Sequence, residues 1–222
     1  MPEIGAREHR WLLVSAGAAF IVFALLWIGY AQQWDWLSRL DIAALAPAHD
    51  YGIAHPGWVT AWDMFATALG PGAFRIAVAV VIVVLLVQRQ RRPAMFLLIT
   101  VELSALVTEL AKLLAGRPRP ATRLVDAYGS SFPSGHALGV MVGVLALLTV
   151  FLPKAVAALR PWLVVLGGVL ILAIGVSRVL LNVHNPSDVL AGWALGYAYF
   201  IACLLVLPPW PHGSGRSTAS AR

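Results

Sequence analysis

Long runs of apolar residues recur along the chain, separated by short polar or proline-containing segments. The run Ile76–Val87, for example, contains no charged residue. Strands of a membrane β-barrel alternate apolar and polar positions, whereas continuous runs favour helices, which satisfy their backbone hydrogen bonds internally. We therefore predict an all-α, polytopic membrane protein with one domain, 1–207. Its six predicted transmembrane helices cover residues 11–30, 73–87, 94–115, 134–152, 162–181 and 186–207.

The segments outside these spans are interpreted from their composition. The first run, Trp11–Tyr30, is longer than the apolar core of a signal peptide, so we expect a retained helix. Residues 32–57 mix Trp and Pro with Asp and predict an interfacial loop with aromatic anchors. Trp58–Leu69 predicts a short helix along the membrane surface. The Gly/Ser-rich residues 208–222 predict a disordered cytoplasmic tail.

Composition agrees with a membrane protein. The chain is 60% hydrophobic and 12% charged, with a mean hydropathy of +0.80, whereas soluble domains carry about 25% charged residues. Its one cysteine, Cys203, excludes an internal disulfide and a cysteine-based metal cluster. The net charge of +6 does not indicate nucleic acid, because the basic residues lie at the ends of predicted spans.

The distribution of basic residues predicts the orientation. Six spans place both termini on one side, and the positive-inside rule makes that side cytoplasmic in the cell membrane. The basic residues on it are Arg7, Arg10, Arg89, Arg91, Arg92, Lys154, Arg160, Arg216 and Arg222. The opposite face carries Asp35, Asp41, Asp50, Asp63 and Asp126, and also Lys112, Arg117, Arg119, Arg123 and Arg178. Because cations on the outer face break the rule, we predict an anionic ligand there.

Two stretches on this outer face combine cations with a helix start. Lys112 lies in the last turn of the third span, and Pro118 and Pro120 stiffen the segment that carries Arg119. Pro133–His136 opens the fourth span, where free amide groups suit a phosphate. Taken singly, each has a plain structural interpretation, namely snorkelling cations and an ordinary helix cap.

The third stretch, Ser177–Asp188, joins the fifth span to the sixth. Arg178 offers a guanidinium fork suited to phosphate oxygens. Asn185 and Pro186 predict the cap and first residue of a helix, so His184 could reach Asp188 across one turn. If Asp188 accepts the Nδ1 hydrogen, Nε2 is left free to attack. Asp188 could equally be a first-turn acid that only stabilises the helix.

All three stretches fall on the same face, and their cations, amides and histidines suit phosphoryl transfer. The pattern Lys-x6-Arg-Pro, Pro-Ser-Gly-His and Ser-Arg-x5-His-x3-Asp resembles that of the type 2 phosphatidic acid phosphatase (PAP2) superfamily, in its membrane-integrated bacterial lipid phosphatase branch. The matching residues are Lys112, Arg119 and Pro120, Pro133–His136, and Ser177, Arg178, His184 and Asp188.

The resemblance implies a role for each residue and a function. His184 would become a phosphohistidine, Asp188 would orient it, and His136 would protonate the leaving group. The phosphoryl group would be held by Lys112, Arg119, Ser134, Gly135 and Arg178. No metal or other cofactor is implied. We expect hydrolysis of an outer-leaflet lipid phosphate or diphosphate, such as undecaprenyl pyrophosphate, phosphatidic acid or phosphatidylglycerophosphate, at an extracytoplasmic site. Membrane lipids are expected as further partners, nucleic acid is not, and the oligomeric state is open.

Two alternatives stay open. A phosphotransferase would use the same phosphohistidine with a hydroxyl acceptor instead of water. A transporter would use the intramembrane charges of Glu102, Glu109 and Lys112 as a path. The soluble haloperoxidase branch shares the motifs, but six predicted spans argue against it. We also expect Glu109 to pair with Lys112 across one helical turn.

Overall fold

A computed structural model describes residues 5–210, and every regular element within that range is helical. The longer helices, in chain order, are α1 (Ala6–Ala31), α2 (Asp35–Ala54), α3 (Pro56–Ala68), α4 (Pro71–Val87), α5 (Arg91–Leu97), α6 (Ser104–Ala115), α7 (Gly135–Phe151), α8 (Arg160–Leu180) and α9 (Pro186–Val206). A π-helical turn, Leu98–Glu102, joins α5 to α6. Two short 3₁₀ turns, Leu152–Lys154 and Ala157–Leu159, join α7 to α8.

Six helical stretches are long and apolar enough to cross a membrane, which confirms the predicted all-α, multi-pass fold. They are Ala6–Ala31, Pro56–Val87, Arg91–Ala115, Gly135–Lys154, Ala157–Leu180 and Pro186–Val206. The predicted spans end close to the helix ends, although α1 already begins at Ala6 and α4 is preceded by α3 in one stretch. The helix predicted over Trp58–Leu69 is observed as α3.

The prediction of a loop over residues 32–57 is wrong, because most of this segment is the helix α2. Its Asp, His and Pro residues keep its mean hydropathy low, and Pro47 lies inside the helix. One face is nevertheless buried at helical spacing. The buried positions are Leu37, Asp41, Leu45, Ala48 and Gly52.

The predicted disorder of the tail is wrong for its first residues. Trp210 packs against the hydrophobic core, and its carbonyl oxygen accepts a hydrogen bond from Arg92 Nη1 at 3.3 Å. Residues 211–222 lie outside the described part of the chain, so the prediction for them is unchanged.

Helix α7 lies in the middle of the bundle, between α8 and α9. It approaches α9 closely, since a Cβ atom added to Gly192 would lie 2.6 Å from the carbonyl oxygen of Ser134. The Ser134 amide also donates to the carbonyl oxygen of Asp188 at 2.9 Å. The first turns of α7 and α9, which carry two of the predicted site segments, are thus fixed against each other.

In the third membrane stretch, Arg91–Ala115, the π-helical turn changes the direction in which the later side chains point. Such a turn inserts one extra residue into an α-helix. Tyr199 Oη donates to the carbonyl oxygen of Ile99 at 2.6 Å. Glu102 accepts a hydrogen bond from Arg75 Nε at 3.3 Å, which supplies a partner for this intramembrane carboxylate.

Candidate active site

The predicted site segments meet at one end of the bundle, around the turn between α8 and α9. The carbonyl oxygen of Arg178 accepts hydrogen bonds from the amides of Val183 (3.2 Å) and His184 (3.3 Å), which ends α8 and folds the chain back. Asn182 takes the left-handed conformation (φ 54°) in this turn, and its side-chain oxygen accepts from Thr122 Oγ1 at 2.9 Å. The turn therefore places His184 inside the protein, where only 2% of its surface is exposed.

Arg119 contacts the imidazole of His184 directly. Its Nη1 donates to the Val183 carbonyl oxygen at 2.9 Å and lies 3.2 Å from His184 Nε2. Its Nε and Nη2 both donate to the Tyr128 carbonyl oxygen. Because a guanidinium group can only donate, Nε2 must accept with its lone pair, and the proton of the neutral ring resides on Nδ1.

The carboxylate of Asp188 caps helix α9. Its Oδ2 accepts from the Asn185 backbone amide at 2.8 Å, as in a capping box, and also from Asn185 Nδ2 at 3.3 Å. The same oxygen lies 3.7 Å from His184 Nδ1, too far for a hydrogen bond but close enough for a charge interaction. In this conformation Asp188 is primarily a cap, and the predicted Nδ1 hydrogen bond is not formed.

Arg117 is a site residue that sequence reasoning missed. It connects Asp41 on α2 with Ser187 and Asp188 on α9. Its Nη2 donates to Asp41 Oδ2 at 2.8 Å, and its Nη1 donates to Ser187 Oγ at 2.7 Å and to Asp188 Oδ1. Its guanidinium carbon also lies 4.8 Å from the ring centre of Tyr30, a cation–π contact with α1.

Asp41 completes this network, which we call the support cluster (Arg117, Asp41, Ser187 and Asp188). Asp41 Oδ1 accepts from the Ser187 amide at 3.0 Å, and Oδ2 accepts from Ser187 Oγ at 2.6 Å. The carboxylate is almost fully buried. A signal was present in the sequence, since Asp41 lies at four-residue spacing between Leu37 and Leu45 and so interrupts an apolar helical face.

The other side of His184 is lined by hydrogen-bond donors, which we call the donor cluster: Lys112, Arg119, Arg178 and the first turn of α7. Arg178 is buried, and its Nε has no hydrogen-bond partner within residues 5–210. Ser134 caps α7 weakly, accepting from the Ala137 amide at 3.5 Å. A Cβ atom on Gly135 would lie 3.7 Å from Lys112 Nζ, so this ammonium group reaches the start of α7.

Lys112 also forms the expected pair with Glu109, at 3.0 Å between Nζ and Oε1. The Glu109 side chain is 63% exposed, so solvent weakens this pair. His136, the second residue of α7, packs against the loop between α3 and α4. A Cβ atom added to Gly70 would lie 3.2 Å from His136 Nε2. The structure thus brings Lys112, Arg119, His136 and His184 to the same end of the bundle.

The electrostatics differ between the two clusters. Burial alone would lower the pKa of Arg117, but the carboxylates of Asp188 and Asp41 outweigh burial and raise it. Burial lowers the pKa of Arg119. Burial also lowers the pKa of His184, opposed by Asp188 and assisted by the positive charges of Arg119 and Arg178. The imidazole is therefore neutral near pH 7, as a nucleophile requires.

No group of three or more His, Cys, Asp or Glu side chains within the described residues is arranged to hold a metal ion. The site's charge is instead supplied by Lys112, Arg119 and Arg178, whose ammonium and guanidinium groups bind anions. The arrangement suits a tetrahedral oxyanion in front of His184 Nε2.

Comparison with known proteins agrees with this geometry. The model of the PAP2 superfamily matches residues 93–211, more than half of the chain. The chain belongs to the PAP2 superfamily. A crystal structure of a transmembrane PAP2-type phosphatidylglycerolphosphate phosphatase from Bacillus subtilis superposes with a TM-score of 0.74 at 23% identity, over 86% of this chain and 95% of that one. This likeness establishes a multi-pass membrane PAP2 fold.

Three curated proteins have related sequences. An undecaprenyl-diphosphatase of Sulfolobus acidocaldarius is 32% identical over 54% of this chain and 57% of its own length. Phosphatidylglycerophosphatase B of Bacillus subtilis is 30% identical over 60% of this chain and 68% of its own length. A lipid A 1-phosphatase of Rhizobium johnstonii is 32% identical over 50% of this chain and 46% of its own length. The chain thus spans little more than half the length of the first of these.

Proposed function

We propose that this chain is a membrane lipid phosphatase that hydrolyses a lipid phosphate or diphosphate through a phosphohistidine on His184. The observation that carries the proposal is the environment of Nε2. This nitrogen holds a lone pair on a buried, neutral ring and points towards the guanidinium of Arg119. All three relatives are named as phosphatases of lipids or lipid-linked diphosphates, which supports the same class of substrate.

In the first half-reaction, the Nε2 lone pair attacks phosphorus. The P–N bond forms as the P–O bond to the leaving group breaks, and His136 donates a proton to the departing oxygen. Arg119 donates to this same lone pair in the free protein. Substrate binding must therefore transfer the guanidinium from Nε2 to a phosphate oxygen, where it stabilises the transition state together with Lys112, Arg178 and the α7 amides.

In the second half-reaction, water attacks the phosphohistidine. His136 takes a proton from the water as the P–O bond forms and the P–N bond breaks, which releases phosphate and restores neutral His184. Asp188, 3.7 Å from Nδ1, stabilises the positive charge on the ring while Nε2 is phosphorylated. A movement of less than an ångström would turn this charge contact into a hydrogen bond.

The proposal is tested with detergent-solubilised protein and a substrate panel: undecaprenyl pyrophosphate, phosphatidic acid, phosphatidylglycerophosphate and diacylglycerol pyrophosphate. We expect His184→Ala to lower phosphate release by about 10⁴-fold or more. His55→Ala, an exposed histidine of the same end, serves as the matched control and should keep near-normal rates. Near-normal release by His184→Ala on every substrate would exclude this mechanism. We expect activity to persist in chelator.

The phosphotransferase alternative uses the same intermediate and differs in the acceptor. It is separated by the product, because transfer yields a lipid-linked or sugar-linked phosphate in place of free phosphate. Supplying a hydroxyl acceptor to the solubilised protein and measuring both products decides between the two reactions.

The transporter alternative is disfavoured by the pairing of its charges. Glu102 pairs with Arg75 and Glu109 pairs with Lys112, so these groups already have partners without a transported ion. Flux across liposomes that is independent of lipid phosphate would restore this alternative.

We further propose that the site faces the extracytoplasmic side, that both termini are cytoplasmic, and that the substrate enters from the outer leaflet. The charge distribution along the chain supports this orientation. A Cys203→Ala background with a single cysteine at Arg123, beside the site, or at Arg89, at the other end, tests it. An impermeant maleimide applied to intact cells should label the first variant alone, whereas labelling of the second alone would reverse the orientation.

A further inference from the structure

A second cationic region lies at the end of the bundle remote from His184. It is a cavity of about 460 Å³ between the α4–α5 turn, the end of α7 and the segment after α9. We call it the basic pocket and define it by Arg89, Arg91, Arg92, Lys154 and Trp210. None of its four cations pairs with a carboxylate within residues 5–210. In the support cluster, by contrast, Arg117 pairs with two carboxylates, those of Asp41 and Asp188.

The basic pocket is built by defined backbone and side-chain contacts. Arg89 ends α4 in the left-handed conformation (φ 60°), and the Gln90 amide donates back to the Leu85 carbonyl oxygen at 2.8 Å. Lys154 Nζ donates to Gln90 Oε1 at 3.1 Å. A non-glycine residue rarely adopts a positive φ. The turn places Arg89, Arg91 and Arg92 around the same cavity as Lys154.

An apolar groove of about 610 Å³ adjoins the basic pocket and shares Thr149 and Trp210 with it. Its walls come from α1, α7 and α9. They include Leu12, Leu145, Leu148, Tyr197, Phe200 and Leu204. Both volumes fall within the range of small-molecule sites. Trp210 stands at the boundary between the cationic and apolar parts, the position that tryptophan favours at a membrane interface.

We propose that the basic pocket and the apolar groove together bind an anionic glycerophospholipid, with the phosphodiester headgroup among the cations and an acyl chain along the groove. Charge complementarity selects this occupant. A second copy docked by the same face would oppose four cations to four cations. Residues 211–222 of this chain contain no Asp or Glu and two arginines, so they bring no complementary side-chain charge. A soluble anion would leave the apolar groove unused.

The test measures lipid binding to the solubilised full chain by native mass spectrometry and by thermal unfolding. The probes are dioleoyl phosphatidylglycerol, dioleoyl phosphatidylcholine and sn-glycerol 3-phosphate. We expect saturable binding and stabilisation by phosphatidylglycerol only. Removing one basic-pocket charge should weaken binding about five-fold, and the Arg92→Gln/Lys154→Gln pair about twenty-five-fold. Arg7→Gln, a cation of the same predicted side that does not line the cavity, should change binding less than about two-fold.

Three results would overturn the proposal. One is equal stabilisation by phosphatidylcholine or glycerol 3-phosphate. Another is an equal loss of binding in Arg7→Gln and in the double variant. It would mean that the basic-pocket cations only set the orientation in the membrane and do not form a binding site. The third is loss of phosphatidylglycerol binding in Lys112→Gln with retention in the double variant, which would place the lipid at the candidate active site. Because the readout is binding, these results do not depend on whether the chain hydrolyses lipid phosphates.

Discussion

The two clusters beside His184 differ in how their arginines are hydrogen-bonded. In the support cluster, Asp41 uses both carboxylate oxygens and Arg117 donates to two carboxylates. In the donor cluster, the buried Nε of Arg178 has no partner within the described residues. A buried donor without a partner costs free energy, so such a donor is a candidate for a hydrogen bond to a bound ligand. The comparison separates residues that hold the α8–α9 turn in place from residues that are candidates for binding the substrate phosphate.

Between the two clusters, the larger effect on activity is expected in the donor cluster. Arg178→Gln should lower kcat about 10²- to 10³-fold, because it removes a donor that stabilises transition-state charge. The melting temperature should change little or rise, since a buried charge with an unsatisfied donor is removed. Phosphate release and thermal unfolding of the purified variant are to be measured together, with Arg123→Gln as the exposed control. A large fall in stability would assign Arg178 to support instead.

The support cluster should respond in the opposite way. Asp41→Asn leaves Arg117 with one charged partner instead of two. We expect it to destabilise the protein by about 3 kcal/mol and to lower kcat by up to about 10²-fold with little change in KM, through misplacement of the α9 turn.

A double-mutant cycle sharpens this expectation. Asp41→Asn combined with Arg117→Gln should cost clearly less than the sum of the two single effects, because the two residues act through one shared contact. Asp35→Asn, on the exposed start of the same helix, is the matched control. Additive effects would show that Asp41 does not act through Arg117.

A smaller effect, on the pH dependence of stability, follows from the lowered pKa of His184. Below pH 6.5, the ordinary pKa of histidine, the unfolded chain binds a proton that the folded ring resists. The contribution of His184 to stability is thus fully present above pH 6.5 and is lost as the pH falls towards the lower folded value, at up to about 1.4 kcal/mol per pH unit. Melting temperatures of the wild type and His184→Asn at pH 7.5 and 5.5 should diverge in the acid. An equal change of melting temperature in the two proteins between pH 7.5 and 5.5 would contradict the lowered pKa of His184.

The smallest effect on stability and activity is expected at the exposed ion pair of Glu109 with Lys112. Glu109→Gln removes the partner of Lys112, but the carboxylate is mostly solvated. Stability should change by less than about 1 kcal/mol, and kcat should stay within about two-fold because Lys112 itself is retained. A loss comparable to that of Arg178→Gln in the same assays would instead give Glu109 a direct part in the chemistry.

The spans and the site segments were predictable for a physical reason. A bilayer imposes a long, continuous apolar signal on each spanning helix, and the resulting topology placed Lys112, His136 and His184 on one face. Helix α2 was missed because its buried residues recur at helical spacing and do not form a continuous apolar run. The partnership of Arg117 with Asp41 joins residues 76 positions apart and depends on tertiary packing, so local pattern could not reveal it. The distance between Asp188 and His184 Nδ1 depends likewise on the observed capping box.

The π-helical turn at Leu98–Glu102 has a consequence for the site. An α-helix rotates about 100° per residue, so an inserted residue shifts the angular phase of everything that follows it. Lys112 lies beyond this turn and reaches the start of α7, whereas Phe96 and Leu97, before the turn, are buried in the hydrophobic core. Without the extra residue, the same sequence would aim Lys112 about a quarter of a turn away from Gly135. The π-helical turn therefore sets the direction in which Lys112 leaves the helix, towards the start of α7.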